Sequence, residues 1–577
     1  MTASSAEAPS PPRWRLVAKV ESHAIVTTLN ADLEVEHVES RPLDSWWHGG
    51  IDGDDARWVW SDTNRWYPRA LGAEVAISRC YDLRLGHAIL RDSALVRDAT
   101  PVRAATQWET VADEPAVAAA PALFEWDAPV ATGIPDDPDE VLAEFVRQKQ
   151  AVRASTDPAR LRLLLAAESA GALLATEMNA AGLPWDRAAH ESLLEDLLGP
   201  RPTPGELPAK VSALAATVRE ALGDASASLD SQPKLLRSLH RVGIPAESTN
   251  RWELGEYDHP VIAPLIAYKK LTRLMSANGW AWLDEWAANG RFRPVYVPGG
   301  VVTGRWASSG GGALQIPRHL RRAVRADPGW RLVVADVAQL EPRILAAMAS
   351  DEALAAAARD RDLYEGIVAS GVVNSRQEAK IAVLGAMYGA TTGDSGRLVP
   401  ALRRAYPRAM GLVDAAAATG EQGGVVSTWL GRSSPGASTG WRDVQAAAAL
   451  PDATEADRTR ARRSARDRGR FTRNFVVQGT AAEWALAWLA DLRRRLASLP
   501  PVDEAASAPR SGPVFARRAH LAFFLHDEII VHTPAAHADA VANHVRQAAD
   551  AAARLLFGDF AIDFPLDLRI ADDAAKD

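Results

Sequence analysis

Hydrophobic positions along this chain change their period several times, and each change marks an element. From Trp14 to Glu39 apolar and polar residues alternate, with a turn expected near Asn30, which predicts a small antiparallel sheet including Arg15–Val20 and Ala24–Leu29. Trp58-Val59-Trp60 predicts another strand, and Val75–Leu95 a strand followed by a helix. Pro101 to Pro138, rich in Ala, Pro and Asp, predicts an irregular connector. Helical spacing then runs over Leu142–Val152, Leu161–Gly182, Leu207–Leu222, Pro260–Trp286 and Val399–Ala418. Arg291–Ala307 predicts two short strands meeting around Pro298-Gly299-Gly300, and Ala437–Thr454 is a loosely patterned insertion with no role assigned.

Three stretches carry candidate chemistry. In Leu332–Ala349 an apolar run ends at Asp336, and Pro342 fits the first turn of a following helix, so Asp336 is expected at the mouth of a strand–turn–helix unit. A carboxylate there can hold a divalent cation, although taken alone such an Asp more often caps the next helix. In His520–Thr533 two apolar runs flank His526, Asp527 and Glu528, a hairpin with an acidic tip. Two carboxylates at neighbouring strand ends suit the paired divalent ions, about 3.5–4 Å apart, of phosphoryl-transfer enzymes. In the third stretch Arg376, Lys380, Leu384 and Tyr388 are spaced by four and share a broad helix face, two cations and then an aromatic ring, which suits a triphosphate with a base beyond it.

Together the three stretches resemble motifs A, B and C of the family A DNA polymerases, the bacterial DNA polymerase I type, and the likeness runs from roughly Leu161 to Ile570. Asp336 to Arg343 resembles D-Y-S-Q-I-E-L-R, Arg376 to Gly389 resembles R-x3-K-x3-F-G-x2-Y-G, and His526-Asp527-Glu528 is similar to H-D-E. Thr303-Gly304-Arg305 resembles the family's T-G-R, Gly424–Pro435 its hairpin, and Arg470, Asn474 and Gln478 its R-x3-N-x3-Q row. There are departures. Gly310 to Pro317 resembles N-L-Q-N-I-P but lacks the second Asn, Tyr364 stands for His in D-I-H, and Leu384 stands for Phe or Tyr.

The resemblance implies an α/β fold of palm, fingers and thumb with an antiparallel palm sheet, preceded by a degenerate RNase H-like exonuclease domain. The expected bounds are 1–155 for the exonuclease-like domain and 156–577 for the polymerase, with the thumb at about 186–285, the palm at 286–350 and 475–577, and the fingers at 351–474. It implies template-directed addition of dNTPs to the 3′-OH of a primer–template DNA, in replication or repair. Asp336, Asp527 and the Val337 carbonyl would hold two Mg2+, with Mn2+ able to substitute, and Glu528 would be catalytic or orient the site. Arg376 and Lys380 would meet the triphosphate, with Gln339, Tyr364, Leu384 and Tyr388 around the nucleotide and Glu341 closing the space a 2′-OH needs. Arg305, Arg343 and His526 would face DNA, and Arg470, Asn474 and Gln478 would read the minor groove, whose acceptors recur in every correct pair. Lys269, Lys270 and Arg273 would meet phosphates from the thumb.

The same resemblance implies no proofreading. The early strands contain no D-x-E pair, Pro68 stands where a third carboxylate belongs, and no Y-x3-D pattern lies near residues 140–160. Asp82 survives, but its family counterpart is not a metal ligand. Two other readings stay open: a single-subunit RNA polymerase, against which Glu341 argues, and a catalytically dead nucleic-acid-binding remnant, against which the two Asp residues, Arg376 and Lys380 argue.

Composition adds bounds. The 577 residues suffice for several domains, and 47% hydrophobic with 24% charged residues is ordinary for a globular protein. The net charge of −8 does not favour nucleic acid, yet a basic groove can hide within it. One cysteine, Cys80, excludes an internal disulfide and fits a reducing cytoplasm. The N-terminus has no apolar signal core, and the chain has no apolar run of about 20 residues, so nothing is expected to span a membrane; the location expected is cytoplasmic and the chain is expected to be a monomer.

Overall fold

The computed structural model describes residues 14–47, 56–109, 133–312, 316–389 and 393–575. Residues 110–132 of the expected connector, Ala313 to Gln315 of the N-L-Q-N-I-P-like segment and Ala390, which follows Gly389 of the third stretch, lie outside the described residues.

The chain forms two compact units. One comprises Met1–Gly182, Pro294–Leu314 and Pro328–Ala571; the other comprises Leu183–Arg293, Gln315–Asp327 and Asp572–Asp577. Residues before 155 therefore share a unit with both acidic stretches.

The N-terminal alternation becomes strands Trp14–Val20, His23–Leu29 and Val35–Pro42, joined by Arg57–Trp60 and Cys80–Asp82. The spatial order is third, second, first, fourth, fifth. The first pairs antiparallel with the second and parallel with the fourth, and the fourth parallel with the fifth. The period of two divides the first strand between the sheet's faces. Trp14, Leu16 and Ala18 join a core with Leu83, Ile89, Val141 and Phe145, while Val17 joins one with Trp46, Trp58, Trp60 and Trp66. The helix Pro158–Ala181 supplies Leu161, Leu164 and Leu165 to the former and Leu173 to the latter.

A buried polar joint ties this layer to the rest of its unit. The Tyr67 hydroxyl donates to Glu177 Oε1 at 2.6 Å, and Arg493 Nε donates to Glu177 Oε2 at 2.9 Å. Arg493, on the helix Glu455–Ala497, also donates to the carbonyls of Ile77 and Ser78.

The second sheet is antiparallel, in the order His520–Leu525, Glu528–Pro534, Trp330–Val337, Leu566–Ala571. The strand Trp330–Val337 runs apolar because both of its faces are covered: the consecutive residues Leu332, Val333, Val334 and Ala335 are all buried. Full burial of each large side chain there contributes about 1.5–3 kcal/mol.

In the second unit, Trp185, His190, Trp282 and Phe292 pack ring to ring around a helical core. On its helix Ile262–Asn278, Lys270 and Arg273 are exposed, whereas Lys269 is half-buried and donates to Thr249 Oγ1.

Candidate active site

The two acidic stretches meet at one end of the antiparallel sheet. Asp336, one residue before the end of its strand, lies directly opposite Glu528 in the pairing register, and the Val337 N–H donates to the Asp527 carbonyl at 2.9 Å. Leu525 pairs with Glu528, so His526 and Asp527 form a two-residue turn. Such a turn needs a positive φ, and His526 supplies it at 55°. Gln339, which opens the helix Leu340–Ala349, is also left-handed, with φ 49°. Two non-glycine residues thus hold a costly backbone conformation beside the acid pair, a pattern concentrated at functional sites.

Electrostatics at the pair follow from burial. Asp527 is pushed up to about 6, first by desolvation and then by the negative charge of Asp336, with Arg305 pulling the other way. His526 is lowered by partial desolvation and by the positive charge of Arg305. Glu528 is buried, whereas Asp336 and Asp527 are half-buried.

The third stretch folds as the helix Arg376–Tyr388, capped by Ser375, whose Oγ accepts from the Glu378 N–H at 3.1 Å. Gly385 lets the next helix approach, since a Cβ there would lie 2.6 Å from Ser395 Cβ. Gly389 ends the helix at φ 72°. Arg376 is exposed, donates to Asp362 Oδ2 at 2.8 Å and lies 5.5 Å from the Tyr364 ring centre. Gln339 Nε2 donates to the same Asp362 oxygen at 3.0 Å. Lys380 is exposed one turn beyond Arg376.

Glu341 closes the opposite side. Its carboxylate accepts from Arg305 and, at 2.8 Å, from the Tyr388 hydroxyl. Desolvation and this carboxylate raise Tyr388 to about 12, and Gln478 lies beside the same tyrosine. A pocket of about 240 Å3 opens between these groups, lined by Arg305, Gln339, Glu341, Tyr364, Leu384, Tyr388, His526 and Asp527 among others. Arg470, Asn474 and Gln478 fall one turn apart on the helix Glu455–Ala497; Arg470 pairs with Asp467, and Asn474 Oδ1 is buried with no partner among the described residues.

Arg343 departs from expectation. It is fully buried, and its guanidinium donates to the carbonyls of Ala338, Ala358, Arg361 and Asp563 and to the Asp563 carboxylate. With its donors spent on the protein it cannot face DNA; it anchors the helix that carries Glu341. Two residues escaped the sequence reading. Asp362 was legible only as part of a D-L-Y triplet, yet it joins Arg376 to Gln339. Arg473, one of many arginines in its run, donates to the Ala386 carbonyl at 2.6 Å and pairs with Asp414, holding the helix Arg376–Tyr388 in place.

Among the described residues no three His, Cys, Asp or Glu side chains gather as a preformed metal cage. Two carboxylates whose like charges oppose each other fit Mg2+ all the same, because that ion is usually held by one or two carboxylates with substrate phosphates and water completing its octahedron.

A mixed α/β chain with a catalytic-looking pocket at the end of an antiparallel sheet has the architecture of a polymerase domain. The fold is that of a solved structure described as the POL domain of Pol1 from M. smegmatis in complex with DNA primer-template and dNTP, with a TM-score of 0.65, 15% identity, and coverage of 98% of this chain and 96% of that one. The family model of DNA polymerase family A matches residues 205–573, and the chain belongs to that family. Among curated relatives, the DNA polymerase I of Chloroflexus aurantiacus is 29% identical over 303 residues, which are 48% of this chain and 28% of that protein. The thermostable DNA polymerase I of Thermus aquaticus is 25% identical over 320 residues, 50% of this chain and 34% of the relative. The matched part spans about a third or less of the length of these two relatives. No helix among the described residues is long and apolar enough to cross a membrane.

Proposed function

We propose that this chain is a template-directed DNA polymerase that adds dNTPs to a primer 3′-OH and releases pyrophosphate, without proofreading. The observation that carries the reading is the meeting of Asp336 and Asp527 beside a pocket whose other walls bear Tyr364, Leu384 and Tyr388, with Arg376 against Tyr364. Asp336, Asp527 and the Val337 carbonyl would hold the divalent ions, Mg2+ or Mn2+, which supply activation of the attacking oxygen and stabilisation of the leaving one. Arg376 and Lys380 bind the triphosphate, Tyr388 and Leu384 face base and sugar, Glu341 limits the space at the sugar, and Arg305 and His526 position the primer end. Glu528 is buried opposite Asp336 and orients the acidic tip.

Primer extension with dNTPs or rNTPs tests this directly. Asp336→Ala and Asp527→Ala are expected to abolish extension while duplex binding persists; near-normal extension by either variant overturns the assignment.

The absence of proofreading is supported by the uses of acids in the N-terminal layer. Asp82 accepts from the Thr63 N–H and hydroxyl and from the Leu85 N–H, and Asp136 accepts from Trp66 Nε1 at 2.9 Å. Glu144 bonds His87 at 2.9 Å inside the core. Pro68 lies within the helix Thr63–Gly72. These carboxylates serve the fold, and the layer acts as a platform for the polymerase. Incubating a mismatched primer terminus with Mg2+ or Mn2+ and no dNTPs is expected to leave it intact; metal-dependent 3′ shortening that persists in an Asp336→Ala/Asp527→Ala background overturns this part.

A further inference from the structure

The helix Glu455–Ala497 begins well before the segment that borders the pocket, and its first turns are strongly basic. Between Arg458 and Arg470 there are seven arginines and one aspartate, in a chain whose net charge is −8, so the positive charge is local. Arg463, Arg466, Arg470, Asn474 and Gln478 follow one another at steps of three or four residues and therefore share one face. Gln478 lies beside Tyr388 at the pocket, and Arg470 packs against Gly389, where a Cβ would lie 3.0 Å from Arg470 Cγ. Arg463 and Arg466 carry the same face about two turns further, so that Arg463 to Gln478 spans roughly 22 Å. Arg462 lies beside them. All three are exposed. Arg462 pairs with Glu455, whereas neither Arg463 nor Arg466 makes an ion pair among the described residues.

The opposite face of these turns is braced. The loosely patterned insertion forms a helix, Thr439–Ala448, that packs there: Gln445 Nε2 donates to the Ala461 carbonyl at 3.0 Å and Trp441 Nε1 to the Ser464 carbonyl at 3.4 Å. Arg468 reaches the carbonyls of Gly424 and Pro435 at 2.9 and 3.0 Å. An unbraced arginine-rich segment would hold its like charges apart by fraying. Here it is fixed with the arginines pointing away from the brace, an arrangement that lowers the ordering cost of binding an anion.

We propose that Arg462, Arg463 and Arg466 form a phosphate track for the template strand, extending the Arg470–Asn474–Gln478 row outward, with the Thr439–Ala448 insertion as its support. The proposal rests on the polymerase reading above. The chemistry recognised is the phosphodiester backbone, which carries charge along the strand at a spacing comparable to successive arginines on one helix face.

The test is DNA binding by the full chain carrying Arg462→Gln, Arg463→Gln and Arg466→Gln together, measured by fluorescence anisotropy from about 50 to 200 mM salt. Two DNAs of equal duplex length are used, one with a long single-stranded 5′ overhang on the template and one blunt. The slope of log K against log salt is expected to become shallower by about 2 if the three phosphates are single-stranded, a change confined to the overhang DNA, or by nearly 3 on both DNAs if they lie in the duplex. Single-nucleotide turnover at saturating DNA stays unchanged, and the corresponding triple Lys variant keeps the wild-type slope. An unchanged slope on both DNAs, or lost turnover at saturating DNA with the slope unchanged, overturns the track. Failure of the polymerase reading is separately visible, as a wild-type chain that binds DNA but extends no primer.

Discussion

Glu341 offers the sharpest test because two separable roles meet in one carboxylate. It accepts from Arg305 and from the Tyr388 hydroxyl, and it stands in the pocket wall beside Leu340 and Pro342. Arg305 and Glu341 are mostly shielded, at 21% and 14% exposed, whereas Tyr388 is 39% exposed. The charge-assisted bond to Arg305 is therefore worth about 1.5–3 kcal/mol, and the more open one to Tyr388 lies toward the bottom of that range. Glu341→Ala removes these bonds together with the bulk. Glu341→Gln keeps the bulk and loses the charge. Loss of the bonds lets Arg305 and Tyr388 wander and lowers kcat/KM for dNTP and rNTP alike. Loss of bulk admits a 2′-OH and alters only their ratio. The fit of one small group in a pocket is worth about 1–3 kcal/mol, so the Ala variant should lose 10- to 200-fold in sugar discrimination. The Gln variant should stay near the wild-type ratio while sharing much of the fall in kcat/KM. Single-turnover incorporation of a matched dNTP and rNTP opposite the same template base measures both. A wild-type ratio in Glu341→Ala places the gate elsewhere, and equal loss of discrimination in both variants refutes the steric argument in favour of a charge effect.

Two further predictions concern stability. Arg343→Lys should lower the thermal unfolding midpoint, since stranding buried carbonyls costs about 1–3 kcal/mol each, while the DNA affinity of the folded protein stays unchanged; weaker DNA binding at an unchanged midpoint would restore Arg343 to the DNA surface. Glu483 is fully buried, accepts from the Thr428 hydroxyl and the Leu430 N–H, and is pushed up to about 7 by desolvation from an ordinary 4.5. The folded state thus binds the extra proton between those values, and stability falls as pH rises from about 4.5 to 7, by an amount on the order of 3 kcal/mol. Glu483→Gln should flatten that window in denaturant titrations across pH; an unaltered pH profile would refute it.

The elements that carry chemistry were readable because their signals are local. The run Leu332–Ala335 and its Asp336 became the strand Trp330–Val337, and the apolar runs around His526 became the hairpin. What failed depends on distant partners or on single breakers. Val399–Ala418 reads as one helix, but Pro407 starts a second, so the chain forms Gly393–Ala405 and Pro407–Glu421. Pro260–Trp286 likewise breaks at Gly279, which is extended and where a Cβ would lie 2.2 Å from the Met275 carbonyl oxygen. The helix Thr439–Ala448 buries none of its residues fully; its stripe of Trp441, Val444 and Ala448 is short and only half-buried, and its place is set by Trp441 and Gln445 reaching another helix. Arg343 reads as a surface cation because its partner Asp563 lies 220 residues away.

The two joints of the helix Arg376–Tyr388 differ in strength, and the difference bears on how the pocket accepts a nucleotide. At its start Arg376 holds Asp362 at 2.8 Å, with the arginine side chain 49% exposed. An ion pair so open to water is worth about 0–1 kcal/mol. At its end Tyr388, itself 39% exposed, holds Glu341, a carboxylate only 14% exposed that is also held by Arg305. On the proposed reading, a triphosphate arriving at Arg376 would compete with one weakly held carboxylate and would bring more negative charge than Asp362 does. Asp362 is not stranded by it, since Gln339 Nε2 and the Glu365 N–H still donate to its oxygens. The base-side end has no such cheap exchange: moving Tyr388 leaves a half-buried carboxylate with a single partner. On the proposed reading, the helix can trade contacts at the end that would meet phosphate and is held at the end that would face the base pair.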